Sequence, residues 1–97
     1  MNSVYESIAS TNTAQGLTAG NVTHATYGKA SSALVSVETK SIRYTLGGTS
    51  PTTGGVGAPV AAGQQIELNT FDGIDAFEFV SSVADQAATL HVIYEYV

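Results

Sequence analysis

The chain contains no cysteine. That excludes a disulfide framework, a thiolate nucleophile and a zinc–thiolate site, and it leaves the compartment open. Charge is also scarce. Lys, Arg, Asp and Glu make up 11% of the 97 residues, where about 25% is usual. Positive charge is the scarcest kind: Lys29, Lys40 and Arg43 stand against eight acids, for a formal net charge of −5. Phosphate binding needs a basic footprint, so the balance argues against nucleic acid and against an anionic membrane surface as partners. No run approaches the ~18 apolar residues of a membrane span. Residues 1–20 lack the basic start and continuous apolar core of a secretory signal. Without such a signal, the glycosylation sequon Asn21-Val22-Thr23 reads as chance.

What the chain does have is an ordinary hydrophobic fraction, 43%, spread over Val, Ile, Tyr, Phe and Ala. Ninety-seven residues suit one domain spanning residues 1–97. Such a domain buries roughly 60–68% of the surface its unfolded chain exposes, enough to fold alone with a thin margin. A charge-poor surface rich in Thr, Ser, Asn, Gln and Gly suits contact with other surfaces.

Period-2 alternation dominates. Ile42, Tyr44 and Leu46 alternate with Ser41, Arg43 and Thr45. Ile66 and Leu68 alternate with Gln65, Glu67 and Asn69, and Phe77 and Phe79 with Glu78 and Val80. Ala33, Val35 and Val37 share one face, opposite Leu34, Ser36 and Glu38. In the last run, 88–97, Leu90, Val92, Tyr94 and Tyr96 lie on one face, and His91, Ile93, Glu95 and Val97 on a mixed one. Residues 4–9 and 21–27 are weaker strand candidates. Asp72-Gly73 signals a tight turn, and a short turn fits residues 83–87. No long i, i+3, i+4, i+7 stripe is present. The pattern predicts an all-β fold: a small antiparallel β-sandwich, jelly-roll-like, with about seven short strands and little or no helix.

Residues 47–63 hold six of the ten glycines and both prolines. A loop this long in so small a domain is either a flexible surface connection or a contact loop that orders against a neighbour. Val56, Ala58, Val60 and Ala61 give it apolar anchors that a solvated linker does not need.

Catalytic signals are weak. His24 and His91 are the neutral-pH bases available, and neither belongs to a nucleophile–base–orienter pattern. Asp72, Asp75, Glu78 and Asp85 are candidate oxygen ligands or an acid–base pair. Their spacing does not match an EF-hand, so they read as a solvated turn leading into an edge strand. Gly54-Gly55-Val56-Gly57 lacks the Lys-Ser/Thr pair of a phosphate loop, and Pro59 stands where that loop needs a helix start. The expectation is a non-enzyme without cofactor or metal. A strand with two apolar faces, such as 88–97, is either central in its sheet or covered by another chain. Tyr94 and Tyr96 are therefore candidate interface anchors, together with Val56, Pro59 and Val60 from the loop.

Residues 37–39 (Val-Glu-Thr) and 42–52 (Ile-Arg-Tyr-Thr-Leu-Gly-Gly-Thr-Ser-Pro-Thr) resemble a family of small structural proteins of tailed bacteriophages. So do residues 62–68 (Ala-Gly-Gln-Gln-Ile-Glu-Leu) and 88–94 (Ala-Thr-Leu-His-Val-Ile-Tyr), and more loosely Ala14 to Thr18. Gly47-Gly48 stands where the family prefers Asp-Gly, and both suit a tight turn. The resemblance implies a virion component made in the host cytoplasm. Within it, a capsid decoration (cement) protein is expected, on the outer surface of the shell. Its partners would be the major capsid protein and further copies of itself, most simply as a homotrimer. The alternative is a tail, baseplate or fibre module that binds a host glycan or another tail protein, although a glycan binder would more often carry Trp. A small carbohydrate-active enzyme is the third reading, and the missing catalytic pattern weighs against it.

Overall fold

A computed structural model describes residues 2–97. Ten strands and two short helices follow in chain order: β1 (Asn2–Ala9), β2 (Gln15–Gly16), α1 (Ala19–Val22), β3 (Thr23–His24), β4 (Gly28–Lys29), β5 (Ser32–Glu38), β6 (Ile42–Leu46), β7 (Ala58–Val60), β8 (Gln65–Leu68), α2 (Phe71–Ala76), β9 (Phe77–Ser81) and β10 (Thr89–Tyr96). One four-stranded sheet, called A below, has the order β1-β10-β5-β8; the other, sheet B, has β2-β9-β6-β7; β3 and β4 form a two-stranded ribbon.

With the ribbon set aside, the pairing is nested. The first strand pairs with the last, β1 with β10; then β2 with β9, β5 with β8, and β6 with β7, all antiparallel. This is a long hairpin rolled up so that its successive rungs fall alternately into two sheets. It is the double-sheet wiring of a jelly roll. The inward sets meet in one core: Ala33, Val35, Val37, Ile66, Leu68, Leu90, Val92, Tyr94 and Tyr96 from sheet A against Ile42, Val60, Phe77 and Phe79 from sheet B. Each large side chain fully buried there contributes about 1.5–3 kcal/mol. The aromatic rings add oriented contacts, with Tyr44 on Phe77 at 5.4 Å and Phe77 on Phe79 at 5.8 Å between centroids.

The strand count exceeds the expected seven because β2, β4 and β7 are two or three residues long. So short a strand shows no period. Asp72-Gly73 is not a tight turn but part of α2. The Thr70 hydroxyl accepts from the Gly73 N–H at 3.1 Å and caps that helix. The turn of helix sends Ile74 fully into the core. Residues 21–27 split between the end of α1, the strand β3 and a turn. Residues 83–87 form only a turn, closed by the Gln86 N–H on the Val83 carbonyl at 3.2 Å. Among the described residues no helix is long and apolar enough to cross a membrane.

Candidate interaction surface

The two sheets treat their outer faces differently. On sheet B, Arg43 of β6 and Val80 of β9 lie opposite one another and point away from the core. Val80 is nevertheless fully buried. The 47–57 segment accounts for that, because it folds back over this face. Arg43 Nη1 donates to the carbonyls of Gly55 (3.1 Å) and Gly57 (2.9 Å). The Thr53 hydroxyl donates to the Ser81 carbonyl (2.9 Å), and the Gly54 N–H to the Ser82 carbonyl (3.0 Å). The Ser50 hydroxyl bonds the Glu78 carboxylate at 3.2 Å. Pro51 is buried beneath the segment. At Gly57, φ is +117°, and a Cβ would sit 3.1 Å from both Arg43 Cβ and Pro51 Cβ. Only glycine allows that approach. The glycine-rich stretch is thus an ordered roof, held by its own chain.

Sheet A has no such roof. Its outward positions line up across the strands. One row runs Tyr5–Ile93–Leu34–Glu67, and the next runs Ser7–His91–Ser36–Gln65. Tyr5, on the edge strand β1, is 59% exposed, and Ile93, on the central strand β10, is 42% exposed. The Tyr5 ring stacks on His91, with centroids 5.9 Å apart, and its hydroxyl bonds His91 Nδ1. His91 Nε2 lies 3.3 Å from Glu38 Oε1. Glu38, Glu67 and Glu95 flank the apolar row, while Arg43 lies on sheet B and Lys29 sits over the Phe71 ring. The face is therefore an apolar bar with an acidic rim.

The strand at the centre of this face is anchored from behind. The Tyr94 hydroxyl donates to Glu6 Oε1, and the Thr18 hydroxyl donates to Glu6 Oε2 at 2.7 Å. Burial, then the Glu6 carboxylate beside it, pushes the Tyr94 pKa far above its ordinary value. Burial likewise raises that of Tyr96, whose hydroxyl donates to the Asn21 carbonyl.

These positions correct the expected anchors. Tyr94 and Tyr96 are fully buried in the chain's own core. β10 is central, between β1 and β5; its inward face is covered by the chain's own core, while its outward face, with Ile93, stays bare. Val60 is also a core residue, at the inward position of β7. Only Val56 and Pro59 of the expected five are exposed. Val56 stands on the roof, and Pro59 lies in the edge strand β7, where the missing N–H does no harm. The sequence-derived residues therefore form no single patch. Tyr5, Ile93 and Leu34 are not among the expected anchors because each is an odd apolar residue on the more polar side of its strand. Only the register puts them in one row.

Elsewhere, a shallow polar cleft of about 290 Å³ is lined by Ser10, Thr11, Asn12, Ser81, Asp85 and Gln86, with Ala87. Asp85 is held at φ +64° by Asn12, whose Nδ2 donates to Asp85 Oδ1 and whose Oδ1 accepts from the Asp85 N–H, both at 3.0 Å. His24 ends β3 and its side chain caps the turn that follows: Nδ1 accepts from the Thr26 N–H at 3.0 Å. Asp72 and Asp75 lie on α2, and among the described residues no three His, Cys, Asp or Glu side chains converge on a metal-sized site. Comparison with protein-family models, with curated proteins and with solved structures finds no match to this chain.

Proposed function

We propose that this chain is a virion structural protein of a tailed bacteriophage, a decoration protein that attaches to the outside of the capsid shell and acts by binding, without catalysis. The resemblance of residues 37–39, 42–52, 62–68 and 88–94 motivates the family. The bare outer face of sheet A carries the mechanism. A lone domain has no use for Tyr5 and Ile93 side by side on a solvent-facing sheet, whereas a domain that docks on a larger surface does. The acidic rim calls for a shell surface with basic side chains around an apolar patch, and many weak copies on a symmetric shell add to a strong attachment. The jelly-roll architecture does not choose between roles, since it serves viral shells and sugar-binding domains alike.

The test is co-sedimentation of the purified protein with phage shells that lack it. Saturable binding that the double substitution Tyr5→Glu, Ile93→Glu removes is the expected outcome. Binding to host polysaccharide, with none to shells, would overturn the proposal. That outcome would favour the second reading, a tail or fibre module, for which the Ser10–Asn12–Asp85 cleft is the natural sugar site.

A further inference from the structure

The four sheet edges are not equally protected. β2 has two residues, β7 has three and contains Pro59, and β8 has four and carries Glu67 outward. β1 is eight residues long, without Lys, Arg, Pro or a bulge, and its register to β10 is unbroken from Asn2 to Ala9. Natural folds usually block such an edge. Among the described residues nothing pairs with its outer side.

Which backbone groups are free follows from the ladder. The Ser10 N–H bonds the Ala88 carbonyl at 2.9 Å, continuing the β1–β10 register by one pair. Bonded residues alternate along an antiparallel strand. Ile8, Glu6 and Val4 therefore turn their N–H and C=O toward β10, while Ser3, Tyr5, Ser7 and Ala9 turn theirs outward. The Ala9 carbonyl is already occupied, at 2.8 Å, by Gln15 Nε2. The open set is Ser3, Tyr5 and Ser7, symmetric about Tyr5. The Tyr5 ring leans onto His91 in its own sheet and leaves its backbone clear.

We infer that two copies of this chain pair through β1, antiparallel, on a two-fold axis at Tyr5. Ser3 then faces Ser7 of the second copy, Tyr5 faces Tyr5, and Ser7 faces Ser3, each pair exchanging two hydrogen bonds. Other two-fold registers are worse. An axis at Glu6 sets two carboxylates directly opposite. An axis at Ser7 needs the Ala9 carbonyl. An axis at Val4 keeps, among the described residues, only the pairing of Ser3 with Tyr5. The chosen register also aligns the outward rows, so that Leu34–Ile93–Tyr5 continues into Tyr5–Ile93–Leu34 across the axis. The bare face of sheet A becomes one eight-stranded face with an unbroken apolar bar. A two-fold pair stands in place of the trimer that the phage resemblance implies. It does not depend on what the wider face docks against.

The interface is small, so a concentration-dependent equilibrium is expected. Sedimentation over concentrations on the order of 10 μM to 1 mM should show monomer converting to dimer. In the dimer, the amides of Ser3, Tyr5 and Ser7 should resist hydrogen exchange. Tyr5→Lys puts like charges opposite each other at the axis and should abolish the dimer, while Val4, Glu6 and Ile8 amides stay protected and show that β1 is still folded. Ile93→Lys, on the same face but away from the edge, should leave the dimer intact. A strict monomer, a trimer, or a dimer dissolved by Ile93→Lys and kept by Tyr5→Lys would each overturn the pairing. These measurements use no shells, so failure of shell binding leaves their outcome untouched.

Discussion

Val80 and Ile93 make an instructive pair. Both are aliphatic residues at outward-pointing positions in the middle strands of their sheets. Val80 is fully buried and Ile93 is 42% exposed. The difference comes from the chain's distribution of glycine. The long β6–β7 connection carries the glycines that let it lie flat on sheet B, and Arg43 supplies the bonds that hold it there. Sheet A receives no such segment, because its strands are joined by connections that cross to sheet B or form the ribbon. An apolar residue under a roof serves stability; the same kind of residue on a bare face is available to a partner. The comparison thus separates what holds this domain together from what it can offer to other molecules.

The sharpest way to break the comparison is to give both positions a carboxylate. Val80→Asp should cost about 1–4 kcal/mol, since the new carboxylate is buried under the roof and the Arg43 guanidinium opposite it repays only part of the desolvation. Ile93→Asp should stay within about 0.5 kcal/mol, as at an ordinary surface site. Urea unfolding midpoints report both, and equal losses would mean that the roof does not exclude water. Gly57→Ala comes next. Its positive φ and the 3.1 Å approaches to Arg43 and Pro51 should cost about 1–3 kcal/mol and lift the roof. Arg43→Met removes the two bonds to the roof and should cost about 1–2 kcal/mol, partly offset because the buried Nε has no partner to lose. In both variants the amide of Val56, which donates to Thr52 Oγ1 at 2.8 Å, should exchange faster.

Behind the bare face, Tyr94→Phe should cost about 1 kcal/mol by removing the donor to Glu6. It should also change the alkaline limb of stability. The folded pKa of Tyr94 is raised, and the unfolded one lies near 10. Below about pH 10 both states keep the proton and the stabilisation is complete. Above it the unfolded chain gives up a proton that the fold retains, so stability falls as pH rises. Unfolding midpoints at alkaline pH should decline less steeply in Tyr94→Phe than in the parent chain.

The alternating strands were legible because each has one wet and one dry face. Ile42 and Tyr44, Ile66 and Leu68, and Phe77 and Phe79 all point where their period says. β7 was hidden inside a stretch whose composition reads as a loop, and Pro59 masks it further. Tyr94 and Tyr96 were ambiguous in principle. A strand apolar on both faces can be central or covered by another chain, and composition does not distinguish the two. The same holds for the 47–63 segment: glycine permits a tight approach to the fold as readily as it permits motion, and the Arg43 contacts that decide between them are tertiary.

The sequence by itself determined that this protein is a small all-β sandwich without disulfides, poor in charge, with a long glycine-rich connection. Those are consequences of periodicity and composition, which act locally. Only the tertiary structure decided which apolar residues are spare. Burial at Val80, Tyr94 and Tyr96, and exposure at Tyr5 and Ile93, depend on strand order and register. Those are properties of pairs of segments far apart in the chain, and no single segment encodes its neighbour.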